Sequence, residues 1–516
     1  MAGREAALVL LCAVTAAAAP ASLAERLTRA RTLLEQGDRA SARAELMDVL
    51  RAHPSQPVAL NFLGVVEAQD GRYAEAEARF REAVRVAPAL TDAYLNLGRL
   101  YLEASGKDPD APRKALETYE ALLRREPDHR EALYQSAVLL QARGGFAAAI
   151  ERLGRLPPAE QQRSQVMAVR LAAEAGSGNG AEADRLAEAL LARPDLAELD
   201  VVPILPALAG RRDDLALRLL EGLRSRGLAS AEGLERLGAA HEAAGRLDKA
   251  REALEAAAAA RPQAVPILLD LARVAQKAGD RRGALGYLAH ARDLDPKDAR
   301  IHFLFGMICV ELDLGVEAYN ALKQAVALDP ENAAANYAMG AVSLHRRDPS
   351  EAVPYFRKYA SLKPDDPRGP LGVGLAWFRA RELASARPEL ERAARSPSTA
   401  AAANYFLARI AREENDVDQA LVRVDQAIQA RPDYADAWAE RGLLHLRKRE
   451  FGAAEMALQH CLELDADNYL GNLHLLALYQ RTRDEREAEQ SRRVEALTAR
   501  REEKADEFRR VIEVRP

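Results

Sequence analysis

One column of alanines constrains this chain more than anything else in it. Ala42, Ala76, Ala115, Ala149, Ala183, Ala216, Ala250, Ala284, Ala318, Ala352, Ala386, Ala420, Ala454 and Ala488 follow one another at 34 residues in eleven of thirteen steps, with one step of 39 and one of 33. A fixed period of about 20–50 residues marks an array of stacked supersecondary units, each too small to bury its own apolar face. Twelve residues before the alanine lies a second small-residue column: Ala30, Gly64, Ala137, Gly238, Ala272, Gly306, Gly340, Gly374, Ala408 and Gly442, with Gly98 joining once a five-residue insertion is removed. Twelve residues after it come Pro54, Pro88, Pro127, Pro262, Pro296, Pro330, Pro364 and Pro432. Composition agrees with a helical array. Hydrophobic residues make up 48% of the 516, but aromatics only 5%, and Ala runs recur, which argues against an all-β protein or a large α/β enzyme.

The columns have a physical reading. Two antiparallel helices approach closely only where neither carries a bulky side chain, so the two small columns mark a crossing. Leu63, Leu97, Leu237 and Leu271 precede the first small position by one, and Phe80, Tyr119, Leu254, Leu322, Phe356 and Leu458 follow the alanine by four, one helical turn on. Gly37, Gly71, Gly144, Gly245 and Gly279 stand where a left-handed residue ends the first helix, and the prolines close the second.

A 34-residue helix-turn-helix of this kind resembles the tetratricopeptide repeat family. The likeness is clearest in Leu60-x-x-Leu63-Gly64 with Ala76, Phe80, Ala83 and Pro88, in Tyr94-x-x-Leu97-Gly98-x-x-Tyr101, and in Trp438-x-x-x-Gly442. It implies an all-α fold, a right-handed α-α superhelix, with about fourteen repeats from Leu23 to Ala499. The expected division is a signal peptide over 1–21, repeats one to four over 22–156, degenerate repeats forming a bend over 157–230, repeats seven to fourteen over 231–499 and a capping tail over 500–516. The bend is placed where the small column is lost at Leu171 and Ile204, and where Pro203 and Pro206 interrupt a first helix. Gly106 to Pro112 reads as a surface loop, and the charge-dense tail as a polar cover for the terminal apolar face or a docking segment. Pro354 and Pro388 are positioned to kink second helices.

In this family the second, fifth, ninth and twelfth positions of each first helix line the concave face. In repeats nine to twelve these are Arg300, Phe303, Met307 and Val310, then Tyr337, Ala341 and Leu344, then Arg368, Leu371, Leu375 and Phe378, then Tyr405, Arg409 and Arg412. A contiguous apolar band with aromatics and an Arg edge is costly to leave in water and commonly marks a binding surface. Three readings stand: a groove for protein or peptide segments, packing between neighbouring repeats, and a small apolar ligand. Repeats seven and eight instead present Glu232, Glu235, Glu242, Asp270, Arg273 and Lys277, a mixed face suited to solvation.

The start of the chain suggests export. Arg4 and Glu5 precede an apolar run from Ala6 to Ala19, and Ala19-Pro20-Ala21 supplies small residues at both cleavage-recognition positions. A cleaved signal is expected, an uncleaved membrane anchor or an unexported start being the alternatives; lipidation at Cys12 is disfavoured by the preceding Leu11. The mature chain keeps Cys309 and Cys461, neither in a Cys-x-x-Cys pair or a Cys/His cluster. They read as buried apolar thiols, with no zinc site and no disulfide.

Nothing in the sequence reads as catalysis. His241-Glu242 lacks the second His of a zinc protease helix, and Gly176-Ser-Gly178-Asn-Gly180 has neither a preceding strand nor a following Lys-Ser/Thr. Gly372-Val-Gly374 belongs to the small column. The catalytic half of the sugar transferases that carry such repeats is absent, and Asn336, Asn404 and Asn472 recur at the fourth repeat position rather than an inward-facing one. No repeat supplies the Lys and Asn of a carboxylate clamp. With 73 Lys+Arg against 78 Asp+Glu and interleaved signs, no basic stripe points to nucleic acid. The expected function is a non-catalytic exported scaffold, without metal or cofactor, that binds protein or peptide segments; the resemblance suggests envelope assembly or export as its setting. The alternative is a regulatory or substrate-recruiting subunit of a separate enzyme, such as a glycosyltransferase or a polysaccharide-export complex. The sequence leaves the oligomeric state and the partner's name open.

Overall fold

The computed structural model describes residues 22–104, 106, 108–344 and 348–513, with side chains to residue 500. The expected signal segment, Cys12 and most of the expected tail lie outside these residues or their side chains. Every regular element described is a helix, in keeping with the all-α repeat fold. The chain divides into two compact units, one ending at Ala260 and one beginning at Arg261.

In the N-terminal unit, antiparallel pairs succeed one another: Leu23–Glu35 with Arg39–Ala52, Pro57–Gln69 with Tyr73–Val86, Thr91–Ala104 with Ala111–Leu123, Arg130–Ala142 with Phe146–Gly154, Ser164–Gly176 with Gly180–Leu191, and Ala231–Ala243 with Leu247–Ala260. The C-terminal unit pairs Val265–Lys277 with Arg281–Leu294, Ala299–Glu311 with Gly315–Leu328, Arg368–Arg379 with Leu383–Ala393, Pro397–Glu413 with Val417–Ala430, Ala435–Arg447 with Phe451–Leu464, and Tyr469–Thr482 with Glu487–Glu513. Between these, Ala333–Ser343 packs on a second helix that starts as a 3-10 turn, Pro349–Ala352, and continues as Val353–Leu362. Pro354 therefore sits in the first turn of an α-helix, where its missing N–H costs nothing, whereas Pro388 lies inside Leu383–Ala393.

The small columns act as a packing device, with one refinement. A methyl group built on Gly64 would lie 2.6 Å from the Phe80 ring, on Gly98 2.5 Å from Tyr119, on Gly340 2.9 Å from Phe356 and on Gly442 2.5 Å from Leu458. The first-helix glycine thus receives the bulky residue four after the alanine, and the alanine itself is fully buried beside it, as at Ala76 and Ala454. Two alanines depart from this. Ala216 is only half-buried, because the helix before it is not intact and Leu215 takes the buried place; Ala488, at the start of the last helix, is exposed.

Pro203 and Pro206 do break a first helix. Residues 198–208 form a turn of α-helix at Glu198–Val201, a 3-10 turn at Val202–Ile204 and another α turn at Leu205–Leu208, since each proline removes an N–H donor from the ladder. Gly37, Gly71, Gly144, Gly245 and Gly279 adopt φ between 72° and 81° at the inter-helix turn. In the C-terminal unit Asp313, Arg381, Asn415, Arg449 and Arg483 take the same turn with φ of 56–67°, a conformation that costs an L-residue about 1–2 kcal/mol. The 106–112 loop is shorter than expected, for a helix already starts at Ala111 and Pro112 lies in its first turn.

The recurrent fourth position of the first helix has a structural role. Asn336 Nδ2 donates to the Pro330 carbonyl at 3.0 Å, Trp438 Nε1 to Pro432 at 2.8 Å and Asn472 Nδ2 to Ala466 at 3.1 Å, while His302 Nε2 lies 2.9 Å from the Pro296 carbonyl. Each contact spans six residues and ties the inter-repeat connection to the helix that follows it. Asn404 instead accepts from Arg423 at 3.3 Å, and Thr399 donates to the Ala393 carbonyl there.

Candidate partner-binding site

The residues threaded from the first helices lie in the C-terminal unit on Ala299–Glu311, Ala333–Ser343, Arg368–Arg379 and Pro397–Glu413. The helical repeat puts positions two, five, nine and twelve on one stripe. On the first of these helices that stripe meets water: Phe303 and Met307 are half-buried, Val310 is 44% exposed, and Leu304 beside Phe303 is 38% exposed. Arg300 is exposed and turned toward Asp298, with an N–O distance of 2.6 Å.

The next two helices pull the stripe inward. The Tyr337 ring stands edge-on to Phe356 at 5.7 Å between centroids and tilts against Tyr359 at 5.0 Å, and with Ala341 and Leu344 it packs on Ala352, Val353 and Phe356. Arg368 lies over both Tyr337, at 5.3 Å, and Tyr359, at 5.7 Å. It also donates to Asp366 at 2.6 Å and to the Tyr359 hydroxyl at 2.8 Å. The Arg368 guanidinium holds the Asp366 carboxyl far below the usual carboxylate range. Leu371 covers the cluster around Phe378 and Leu390, and Leu375 is half-buried.

Phe378 and Tyr405 are core residues, 6% and 5% exposed. They belong to a run of rings: Phe378 to Phe406 at 5.1 Å, Phe406 to Tyr405 at 5.1 Å, and Tyr405 to Tyr434 at 5.2 Å. The first two are edge-to-face and the third tilted, and edge-to-face pairs contribute about 0.5–1.5 kcal/mol each beyond area burial. Half-buried Arg409 lies over Phe378, Tyr405 and Phe406 at 5.0, 5.7 and 5.7 Å. Arg412, one turn on, is ion-paired with the buried carboxylate of Glu440. Beyond them His474 on the helix Tyr469–Thr482 is pushed down to about 4, by burial first and by the Arg412 charge second.

The structure therefore brings Tyr337 with Arg368, and Phe378 with Tyr405 and Arg409, into two cation-on-aromatic clusters, and leaves Phe303 and Met307 in an apolar patch. Threading four positions per first helix missed Leu304 and Phe406, which share a sixth position, and Tyr359 and Tyr434, which lie on a second helix and a connection. An aromatic immediately after Tyr405 was the available signal for Phe406; nothing local marks Tyr359. Open depressions of about 750 Å³ and 280 Å³ lie along the connections, the first lined by Leu362 to Arg368 with Ser398 and Thr399 and so reaching the stripe at Arg368, the second by Arg431, Asp433 to Asp436, Asp465 and Asn468. Among the described residues no cluster of His, Cys, Asp or Glu could hold a metal ion, and no helix is long and apolar enough to cross a membrane. Cys309 and Cys461 are free buried thiols, which burial raises to about 11 and about 12.

Comparison with known proteins follows the repeat. The chain is similar in structure to the MamA protein, at 25% identity over 32% of this chain and 89% of that one, with a TM-score of 0.31. It is likewise similar to pilF of Pseudomonas aeruginosa, at 25% identity over 39% and 92% with a TM-score of 0.32, and to yeast Tom70, at 16% identity over 86% and 96% with a TM-score of 0.36. No curated protein matches. Two sequence models described as tetratricopeptide repeat match, one at residues 27–91, 69–112, 317–367 and 405–469, the other at 108–172 and 242–304, together more than half of the chain. With the helix pairs and their small-residue columns in place over those spans, the chain belongs to the tetratricopeptide repeat family.

Proposed function

We propose that this chain is a non-catalytic scaffold that binds protein or peptide segments along the first helices of its C-terminal unit, and that it acts outside the cytoplasm. The observation that carries the reading is the solvent-facing apolar surface of the helix Ala299–Glu311. Phe303, Leu304, Met307 and Val310 lie together on it, half-buried or exposed. Such a patch is unfavourable in a monomer unless a partner covers it. Export rests on the order of charged, apolar and small residues before Ser22.

Leu304→Glu with Val310→Glu tests the surface, because both side chains face water and neither holds the core. Crosslinking from the native host is expected to recover a protein with the native chain and to lose it with this double variant, whose melting should be unchanged. Equal capture by both would overturn the assignment of this face. Fusion of residues 1–40 to a reporter active only after export tests the compartment, and a fusion that accumulates in the cytoplasm without reporter activity would overturn it.

A further inference from the structure

Four arginines stand on the proposed binding face, and the structure separates one from the others. Arg300 is paired with Asp298, Arg368 with Asp366 and Arg412 with Glu440. Arg409 has no carboxylate and no hydrogen-bond acceptor among the described residues; what it has is three aromatic rings beneath it, those of Phe378, Tyr405 and Phe406. The two carboxylates whose charge reaches the Tyr405 ring beneath it are engaged elsewhere: Asp436 accepts from Asn468 Nδ2 at 2.8 Å, and Glu440 serves Arg412. The bed is rigid, since Phe378 and Tyr405 are core residues and both rings meet Phe406 edge-on. Burial raises the Tyr405 phenol, so beside the guanidinium it stays a neutral hydroxyl.

A guanidinium held over aromatic faces keeps its N–H edge for an acceptor while its plane is fixed, and its five donors match a carboxylate two at a time. Half-buried and uncompensated, it favours a negative partner and disfavours a positive one. Resting on the binding face assigned above, we infer that Arg409 is the anchor for an acidic side chain, Asp or Glu, of a bound protein segment. Apolar residues of the same segment lie along Leu371, Leu375 and the face beyond. The occupant is an acidic-apolar peptide, and the selectivity resides in one unpaired cation.

The test uses the full chain and two synthetic libraries of nine-residue acetylated, amidated peptides with Leu, Phe, Ala and Ser randomised around a central residue fixed as Glu or as Gln. The native chain is expected to retain the Glu library at least tenfold over the Gln library, with the preference falling as salt rises. Arg409→Gln should bring the ratio close to one while the Gln library binds as before; Arg409→Lys, which keeps the charge without the flat stack, should fall between. Circular dichroism and melting of each variant monitor folding, and Arg85→Gln, at an exposed arginine paired with Glu82 on a second helix outside the binding face, should leave the ratio unchanged. Binding of both libraries without charge preference, or a preference that survives Arg409→Gln, overturns this inference and leaves the binding face standing. Retention of neither library by the native chain overturns both.

Discussion

At the scale of single residues, the chain repeats one volume exchange between its paired helices. Where the second helix offers an aromatic, the first offers glycine: Gly64 with Phe80, Gly98 with Tyr119, Gly340 with Phe356. Where it offers Leu or Val, alanine also serves, as in Ala30 with Leu46, Ala137 with Leu153 and Ala408 with Val424, all buried. At Leu171 the sizes invert, and the facing position is Ala187, both fully buried. The rule is physical, since interiors pack near crystal density and an added methyl must displace something. Gly64→Ala, which sets a methyl 2.6 Å from the Phe80 ring, is expected to destabilise by about 1–3 kcal/mol in urea unfolding. In the background of Phe80→Leu the same change should cost less than about 1 kcal/mol, a coupling that a double-mutant cycle reads directly. Additive costs would show that the two side chains do not compete for one volume.

Between elements, polar contacts at the connections set how one pair hands on to the next. Asn336 is buried and donates to the carbonyls of Pro330 and Asn332, at 3.0 and 2.8 Å. Asn336→Leu leaves the Pro330 carbonyl without its donor and should lower stability by about 1–3 kcal/mol; Asn336→His, the residue type found at His302, should recover part of that loss in the same melt. His474, half-buried and under the charge of Arg412 from another pair, is titratable. His474 ionises near 4 in the folded chain against 6.5 when free, so the folded state disfavours its proton. The stability tied to its neutral form is present above pH 6.5 and is lost as pH falls toward 4. His474→Phe should flatten the fall in urea midpoint over that window relative to the native chain, and parallel pH profiles would contradict it. Sequence periodicity made the helix pairs, the glycine turns and the fourth-position column legible, because these depend on local spacing. It could not distinguish Arg409 from Arg300, Arg368 and Arg412. Whether an arginine finds its carboxylate depends on connections such as Asp366 to Arg368 and on reach to a later helix, as from Arg412 to Glu440. It also left open whether Phe378 and Tyr405 face a groove or pack between repeats, because the ring contacts that bury them come from Phe406, off the threaded positions, and from Tyr434 on a connection.

Over the whole molecule, stability should accumulate pair by pair, because a solenoid's contacts run between neighbours. The C-terminal unit contains apolar clusters of its own, centred on Leu288 and Phe305, on Phe356 and Val373, on Phe378 and Leu390, on Tyr405 and Val424, and on Leu458 and Leu475. Each draws on two or three successive pairs, so removing repeats from one end leaves the remaining neighbours' contacts intact. A fragment of residues 261–513 is therefore expected to keep its helical circular dichroism and unfold cooperatively in urea. Residues 333–513 lack two pairs and expose less surface on unfolding, so their midpoint should be lower and their dependence on urea shallower. The Phe356 and Tyr405 clusters persist in this shorter piece, and their ring fluorescence should report the same single transition. If instead 261–513 is helical but unfolds without a cooperative transition, the pairs do not sustain one another and stability is not carried by nearest-neighbour packing. If the two fragments share a midpoint, the pairs Val265–Lys277 with Arg281–Leu294 and Ala299–Glu311 with Gly315–Leu328 contribute no cooperative stability. The apolar surface of Ala299–Glu311 would then stand on a part of the array free to open on its own.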